Sequence, residues 1–226
     1  QLCDRHFGIG ADGLILIEPY EQFDFEMIYY NSDGNRGSMC GNGGRCAVAF
    51  AHDLGKIDQH TIFLAVDGPH QANVKKSNWI ELQMQHVYEV EKGDAYFYLN
   101  TGSPHYIMFV DQLEKFDVVG NGRAIRYNDR FRAEGTNVNF IQPTKEGIAI
   151  ATYERGVEDE TLACGTGITA AAIAHYLNAD GSIKPPVAVK AKGGDLKVDF
   201  KTVDDHFEDI WLHGPADFVF EGKINH

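Results

Sequence analysis

Residues 39–45 read Met-Cys40-Gly-Asn-Gly-Gly-Arg, and residues 163–169 read Ala-Cys164-Gly-Thr-Gly-Ile-Thr. In both, a cysteine and a glycine-rich turn stand directly ahead of an alanine-rich apolar run, CAVAFAHDL over 46–54 and ITAAAIAHYL over 168–177. This layout predicts a thiol at the electropositive start of a buried helix, and predicts it twice. Unpaired N–H groups and the macrodipole at such a tip favour thiolate and form an anion site. The likeness extends upstream: Asn31 and Arg155 each lie nine residues ahead of their cysteine, at the end of a strand-like run.

Strand signals dominate the rest. Runs at 14–18, 25–31, 61–66, 79–84, 96–100, 106–110, 137–142 and 148–154 precede the second cysteine block, and 187–192, 196–200, 209–213 and 218–220 follow it. They are rich in β-branched and aromatic residues and are separated by Gly, Asp, Asn and Pro. A short helical turn is expected at 111–116, and the opening residues read as the end of a helix. Strand, polar loop, Cys-Gly-x-Gly and buried helix, occurring twice, predict an α+β chain of two pseudo-symmetric domains. Each is a rolled mixed sheet around its central helix. The expected division is residues 1–88 with the tail 215–226 against residues 89–214, broken where 88–94 interrupt the strand pattern.

Composition narrows the function classes. The 226 residues carry a formal net charge of −13 with 43% hydrophobic residues, and no Lys/Arg cluster offers a nucleic-acid surface. No apolar run is long enough to span a bilayer, and no signal peptide is visible. Four scattered cysteines suit a reducing cytosol better than a disulfide scaffold. Cys3 and Cys46 read as packing residues, and His52 and His175 as core or surface histidines. The chain starts at Gln1 without Met, so a preceding segment is expected.

If the two halves face each other, Cys40 and Cys164 approach one ligand from opposite sides. Two acid/base groups so placed can take a proton from one face of a carbon and return one to the other, inverting it. Helix-terminal N–H groups gripping an adjacent carboxylate would stabilise the carbanionic transition state. One sulfur must start as thiolate and the other as thiol.

The segments NSDGNRGSMCGNGGRC (31–46) and ERGVEDETLACGTG (154–167) resemble the two signatures of the diaminopimelate epimerase family. HFGIGADG (6–13), GSPH (102–105) and Asn137 within Thr-Asn-Val-Asn extend the resemblance over essentially the whole chain. It implies a cofactor-independent isomerase, without metal, PLP or nucleotide, interconverting LL- and meso-diaminopimelate in lysine and peptidoglycan precursor synthesis. It further implies a cytoplasmic homodimer. Carried over by residue, Cys40 and Cys164 are the catalytic acid/bases, and Gly41-Asn42 and Gly165-Thr166 hold the reacting carboxylate. Asn31, Asn137 and Arg155 bind the substrate, chiefly its distal end; Glu154 contacts substrate and, with His105, tunes the thiols. A guanidinium fork at Arg155 suits a carboxylate. The family's early Gly-x-Gly-Asn-Asp-Phe-like motif has no counterpart after Gln1. Gly13 stands where some members have glutamine, and Ser103 where many have asparagine.

Three alternatives stay open on the residues alone. A zinc protein could use Cys40, Cys46, Cys164 and a histidine, although Cys-x5-Cys is not a usual zinc spacing. A redox protein could cycle a Cys40–Cys164 disulfide. A related racemase could act on another amino acid, although proline-type members carry histidine where this chain has Asn42.

Overall fold

A computed structural model describes residues 1–37, 39–76 and 78–224. Its strands are β1 (Gly13–Glu18), β2 (Phe25–Asn31), β3 (His60–Ala65), β4 (Gly68–Val74), β5 (Trp79–Gln83), β6 (Val90–Lys92), β7 (Tyr96–Asn100), β8 (Pro104–Phe109), β9 (Asn137–Pro143), β10 (Gly147–Tyr153), β11 (Glu160–Thr161), β12 (Val187–Ala191), β13 (Gly194–Val203) and β14 (His206–Pro215). Among the described residues three α-helices interrupt them: α1 (Gly41–Asp53), α2 (Val118–Arg126) and α3 (Gly165–Asn178). The strands form one sheet in the order β1-β2-β3-β4-β5-β14-β13-β12-β10-β9-β8-β7-β6, with β11 paired to β10 alone. The fold is α+β, as the strand-rich pattern predicts.

Each end of the sheet rolls around one helix. α1 packs on β1, β2, β4, β5 and β14, and α3 on β7 to β10, β12 and β13. The last strand joins the two ends: Trp211 to Pro215 pair antiparallel with Gln83 to Trp79, while β14 also pairs with β13. A continuous core follows the same path. Ala47, Val48 and Ala51 of α1 and Ile168 and Ala170 to Ala174 of α3 belong to one buried cluster with Phe63, Ile80, Ile107, Ile148 and Leu212. Burying each isoleucine fully contributes about 2 kcal/mol.

Period-two alternation decides which polar groups reach the site. On β9, Val138 and Phe140 pack into a second cluster beneath α2, whereas Ile141 joins the core around α3. Asn137 and Asn139 share the face of Ile141, and both are buried. On β8, His105 lies on the face of Ile107, which also belongs to the α3 core.

Several expectations change. The 218–220 run is irregular rather than a strand, and its three side chains are exposed. Without a pairing partner, β-branched and aromatic content does not make a strand. The opening residues are turns, not a helix end. The 88–94 interruption contains β6, which pairs with β7. The 111–116 turn is a 3-10 turn at Leu113–Lys115, followed by α2, which the sequence pattern does not announce. α1 is not apolar all round: Cys46 and Phe50 lie on its exposed face, so Cys46 is not a packing residue.

Candidate active site

Cys40 and Cys164 occupy the same position in the two halves, the residue before the first helical turn. Their backbones are nearly superimposable in conformation, φ −119° and ψ 124° for Cys40 against φ −116° and ψ 110° for Cys164. The carbonyl of each accepts the first intrahelical bond, from Gly44 N–H at 2.7 Å and Ile168 N–H at 2.8 Å. The earlier N–H groups, Gly41 and Asn42 on one tip and Gly165 and Thr166 on the other, precede any intrahelical acceptor. Both cysteines are free thiols.

The two tips touch. A methyl group built on Gly165 would lie 2.9 Å from the Cα of Gly41, and one built on Gly41 would lie 3.2 Å from the Cα of Gly165. Glycine at both positions allows this approach without displacing either tip. The Asn42 amide crosses the junction and donates to the Ala163 carbonyl at 2.8 Å, one residue before Cys164.

Arg45, in the first block but outside the expected site, organises one side of the junction. The residue is 6% exposed, and its guanidinium donates to the Gly41 carbonyl at 3.2 Å, Asn42 Oδ1 at 3.1 Å and the Pro215 carbonyl at 3.4 Å. All three acceptors are neutral oxygens. An arginine inside an otherwise small and apolar helix start is the sequence signal that could have found it.

Burial pushes the Cys164 thiol up to about 12, and Glu154 adds to the rise. The Thr166 hydroxyl and the Gly167 N–H pull the other way, and Cys40 acts on it more weakly. The carboxyl of Glu154 is itself raised by burial, although it accepts a hydrogen bond from Thr161 Oγ1 at 2.8 Å. Tyr29 is raised first by burial and then by Cys40, Asp12 and Glu154, which ties β2 and the end of β10 to one cluster. His105 is fully buried, and its imidazole is lowered to about 3, first by burial and then by Arg155. It is therefore neutral at ordinary pH. Its Nε2 lies 2.9 Å from Thr166 Oγ1, which lies 3.4 Å from Cys164 Sγ.

The residues expected at the distal end of the substrate make hydrogen bonds within the protein. Asn137 uses both ends of its amide within the protein: Oδ1 accepts from Arg155 N–H at 3.0 Å, and Nδ2 donates to Ser103 Oγ at 2.9 Å and the Pro104 carbonyl at 3.0 Å. Arg155 is exposed, and its guanidinium donates to the Glu134 carbonyl at 3.0 Å and reaches Ser103 Oγ at 3.5 Å. Asn137 thus positions Arg155 and Ser103. Asn31 ends β2, is exposed, and bonds through its backbone N–H to Asn35. At Gly13 the ring of Tyr29 fills the side-chain space, 2.3 Å from where a Cβ would sit. Among the described residues, no three His, Cys, Asp or Glu side chains are grouped to hold a metal ion.

The sequence pattern of the family described as diaminopimelate epimerase matches residues 1–90 and 97–219. The chain belongs to that family. A diaminopimelate epimerase of Flavobacterium psychrophilum is 52% identical over 226 residues, covering 99% of this chain and 88% of the relative. Another of the same name from Chlorobaculum tepidum is 44% identical, covering 99% and 89%. Among solved structures, a PhzF-family phenazine biosynthesis protein of Bacillus anthracis aligns with a TM-score of 0.70 at 13% identity, over 92% of this chain and 82% of its own. A hydroxyproline epimerase from Agrobacterium vitis aligns with a TM-score of 0.63 at 16% identity, over 93% and 75%. At those identities the structures show a shared fold. As a family member the chain is an isomerase, and among the described residues no helix is long and apolar enough to cross a membrane.

Proposed function

We propose that this enzyme interconverts LL- and meso-diaminopimelate without a cofactor, by proton transfer between two sulfurs and one α-carbon. The contact of the Gly41 and Gly165 helix tips, each behind its own cysteine, carries the reading. The α-carboxylate docks on the N–H groups of Gly41, Asn42, Gly165 and Thr166, where fixed dipoles stabilise charge developing on the substrate.

Cys164, held as a thiol by burial and by Glu154, gives its proton to one face of the carbon. Cys40 takes the α-proton from the opposite face. The carbon leaves inverted, and the two sulfurs have exchanged protonation states; the reverse reaction uses them in the other order. Asn31 and Arg155 bind the distal end of the substrate, with Asn137 holding Arg155, and Glu154 and His105 tune the thiols. Residues 1–88 with 215–226 and residues 89–214 act as two jaws whose closure excludes water. The enzyme serves lysine and peptidoglycan precursor synthesis in the cytoplasm as a homodimer.

The decisive experiment is incubation of LL-diaminopimelate in D2O without added cofactor. Deuterium enters one α-carbon as the meso isomer appears, and Cys40→Ala and Cys164→Ala each abolish epimerisation with the fold intact. Near-normal turnover by either variant refutes the two-base assignment.

A further inference from the structure

Behind Cys164 runs a chain of buried hydrogen bonds whose direction is fixed at a residue outside the expected site. Asn139 sits on β9, opposite Thr152 of β10 and Ile107 of β8. It is fully buried, and Thr152 is 3% exposed. Its Nδ2 lies 3.2 Å from the Tyr106 carbonyl and 3.1 Å from His105 Nδ1, while its Oδ1 accepts from Thr152 Oγ1 at 2.9 Å. A backbone carbonyl can only accept, so the NH2 group must face Tyr106. Its second hydrogen then points at His105 Nδ1, which must be bare. The imidazole proton therefore resides on Nε2 and is donated to Thr166 Oγ1. With its oxygen accepting from the ring, the Thr166 hydroxyl turns its single proton to Cys164 Sγ.

We infer that Asn139 is a positioning residue for the reaction: by selecting the Nε2–H tautomer of His105, it makes Thr166 donate to Cys164 Sγ as negative charge develops there. The opposite tautomer would take the Thr166 proton for itself and leave the sulfur without that donor. The packing has no slack, since a methyl group built on Gly167 would lie 2.5 Å from Asn139 Oδ1. This chain opposes the burial that keeps Cys164 protonated. It is thus directed at the thiolate formed in the transition state rather than at the resting thiol. The other titratable groups facing the sulfur are Glu154, beyond β10, and Cys40 on the α1 tip; Arg155 faces His105.

The inference rests on the reading of Cys164 as an acid/base, and its test separates the two. Histidine 15N NMR of the substrate-free enzyme, with the His105 signal assigned by its loss in His105→Gln, should show Nε2–H from pH 5 to 9, a range that brackets the ordinary histidine pKa near 6.5. Nδ1–H in the unsubstituted enzyme overturns the proposal, whatever the variants do. In Asn139→Asp, the carboxylate should recruit a proton to Nδ1 and invert the tautomer. The kcat should then fall about tenfold with KM changed less than about twofold, the loss of one hydrogen bond to a charged atom. Alkylation of Cys164, followed by peptide mass spectrometry, should slow about tenfold at fixed pH. A fall in kcat with the tautomer unchanged, or an inverted tautomer with kcat and alkylation unchanged, also overturns it. Loss of diaminopimelate turnover by the unsubstituted enzyme would instead fail the functional reading and leave the NMR result standing.

Discussion

Gly41 and Gly165 meet across the junction of the two halves at a separation that leaves no room for a β-carbon on Gly165 and only a tight space for one on Gly41. Alanine is a better helix former than glycine by about 1 kcal/mol, so propensity alone favours replacing either residue. Overpacking at the junction opposes that gain by about 1–3 kcal/mol. Gly165→Ala should therefore fold with a Tm within about 5 °C of the parent, yet lose about 100-fold in kcat, because the tips are forced apart. Turnover assays beside thermal melts check this; an alanine enzyme of parental kcat would show that tip contact is irrelevant to the chemistry.

The two thiols should differ sharply towards electrophiles. With Cys164 pushed up to about 12, on the order of one molecule in 10⁴ carries its thiolate at pH 8. Peptide-resolved iodoacetamide labelling should modify Cys164 at least about 100-fold more slowly than a free cysteine. Rapid labelling of Cys164 would contradict the assignment of that sulfur as the resting proton donor.

His105 ties stability to pH. Its imidazole is depressed to about 3 in the fold but titrates near 6.5 when unfolded, so between those values the unfolded chain binds more protons. Stability is full above pH 6.5 and is lost as pH falls towards 3, by on the order of 5 kcal/mol from this group. Denaturant unfolding at pH 7 and pH 4 should show a smaller loss for His105→Gln than for the parent. Equal losses would mean that His105 is not held neutral by its surroundings.

Arg45→Met should remove three side-chain hydrogen bonds from the α1 tip and leave Asn42 Oδ1 without its donor. The expected cost is about 3 kcal/mol of unfolding free energy, with kcat lowered because Asn42 loses its orientation. Arg45→Lys keeps the charge but not the fork, and should recover only part of both. Urea midpoints and steady-state rates measure the two effects separately.

The cysteine blocks were legible because their chemistry and their local structure coincide: the same glycines that start the helices also allow the tips to meet. The strands with alternating apolar side chains, such as β5 and β7, were legible for the reason that they bury one face. α2 was not, since Gly120 and Gly122 weaken its helical pattern; only Asp117, whose carboxylate caps Gly120 N–H, marks its start. β4 escaped notice because its inward residues are His70 and Ala72, neither of them β-branched. Asn139 was hidden for a subtler reason. On β9 both faces are covered, so a polar residue there looks like any other break in an apolar run until its neighbours across three strands are known.

Strand β14 is bonded to β5 on one side and to β13 on the other. A ribbon stitched along both edges resists shear, because slipping by one residue would turn every side chain on it inside out. Closure of the two proposed jaws would then come from torsion of that seam, and heating should melt both lobes in one step rather than releasing either alone.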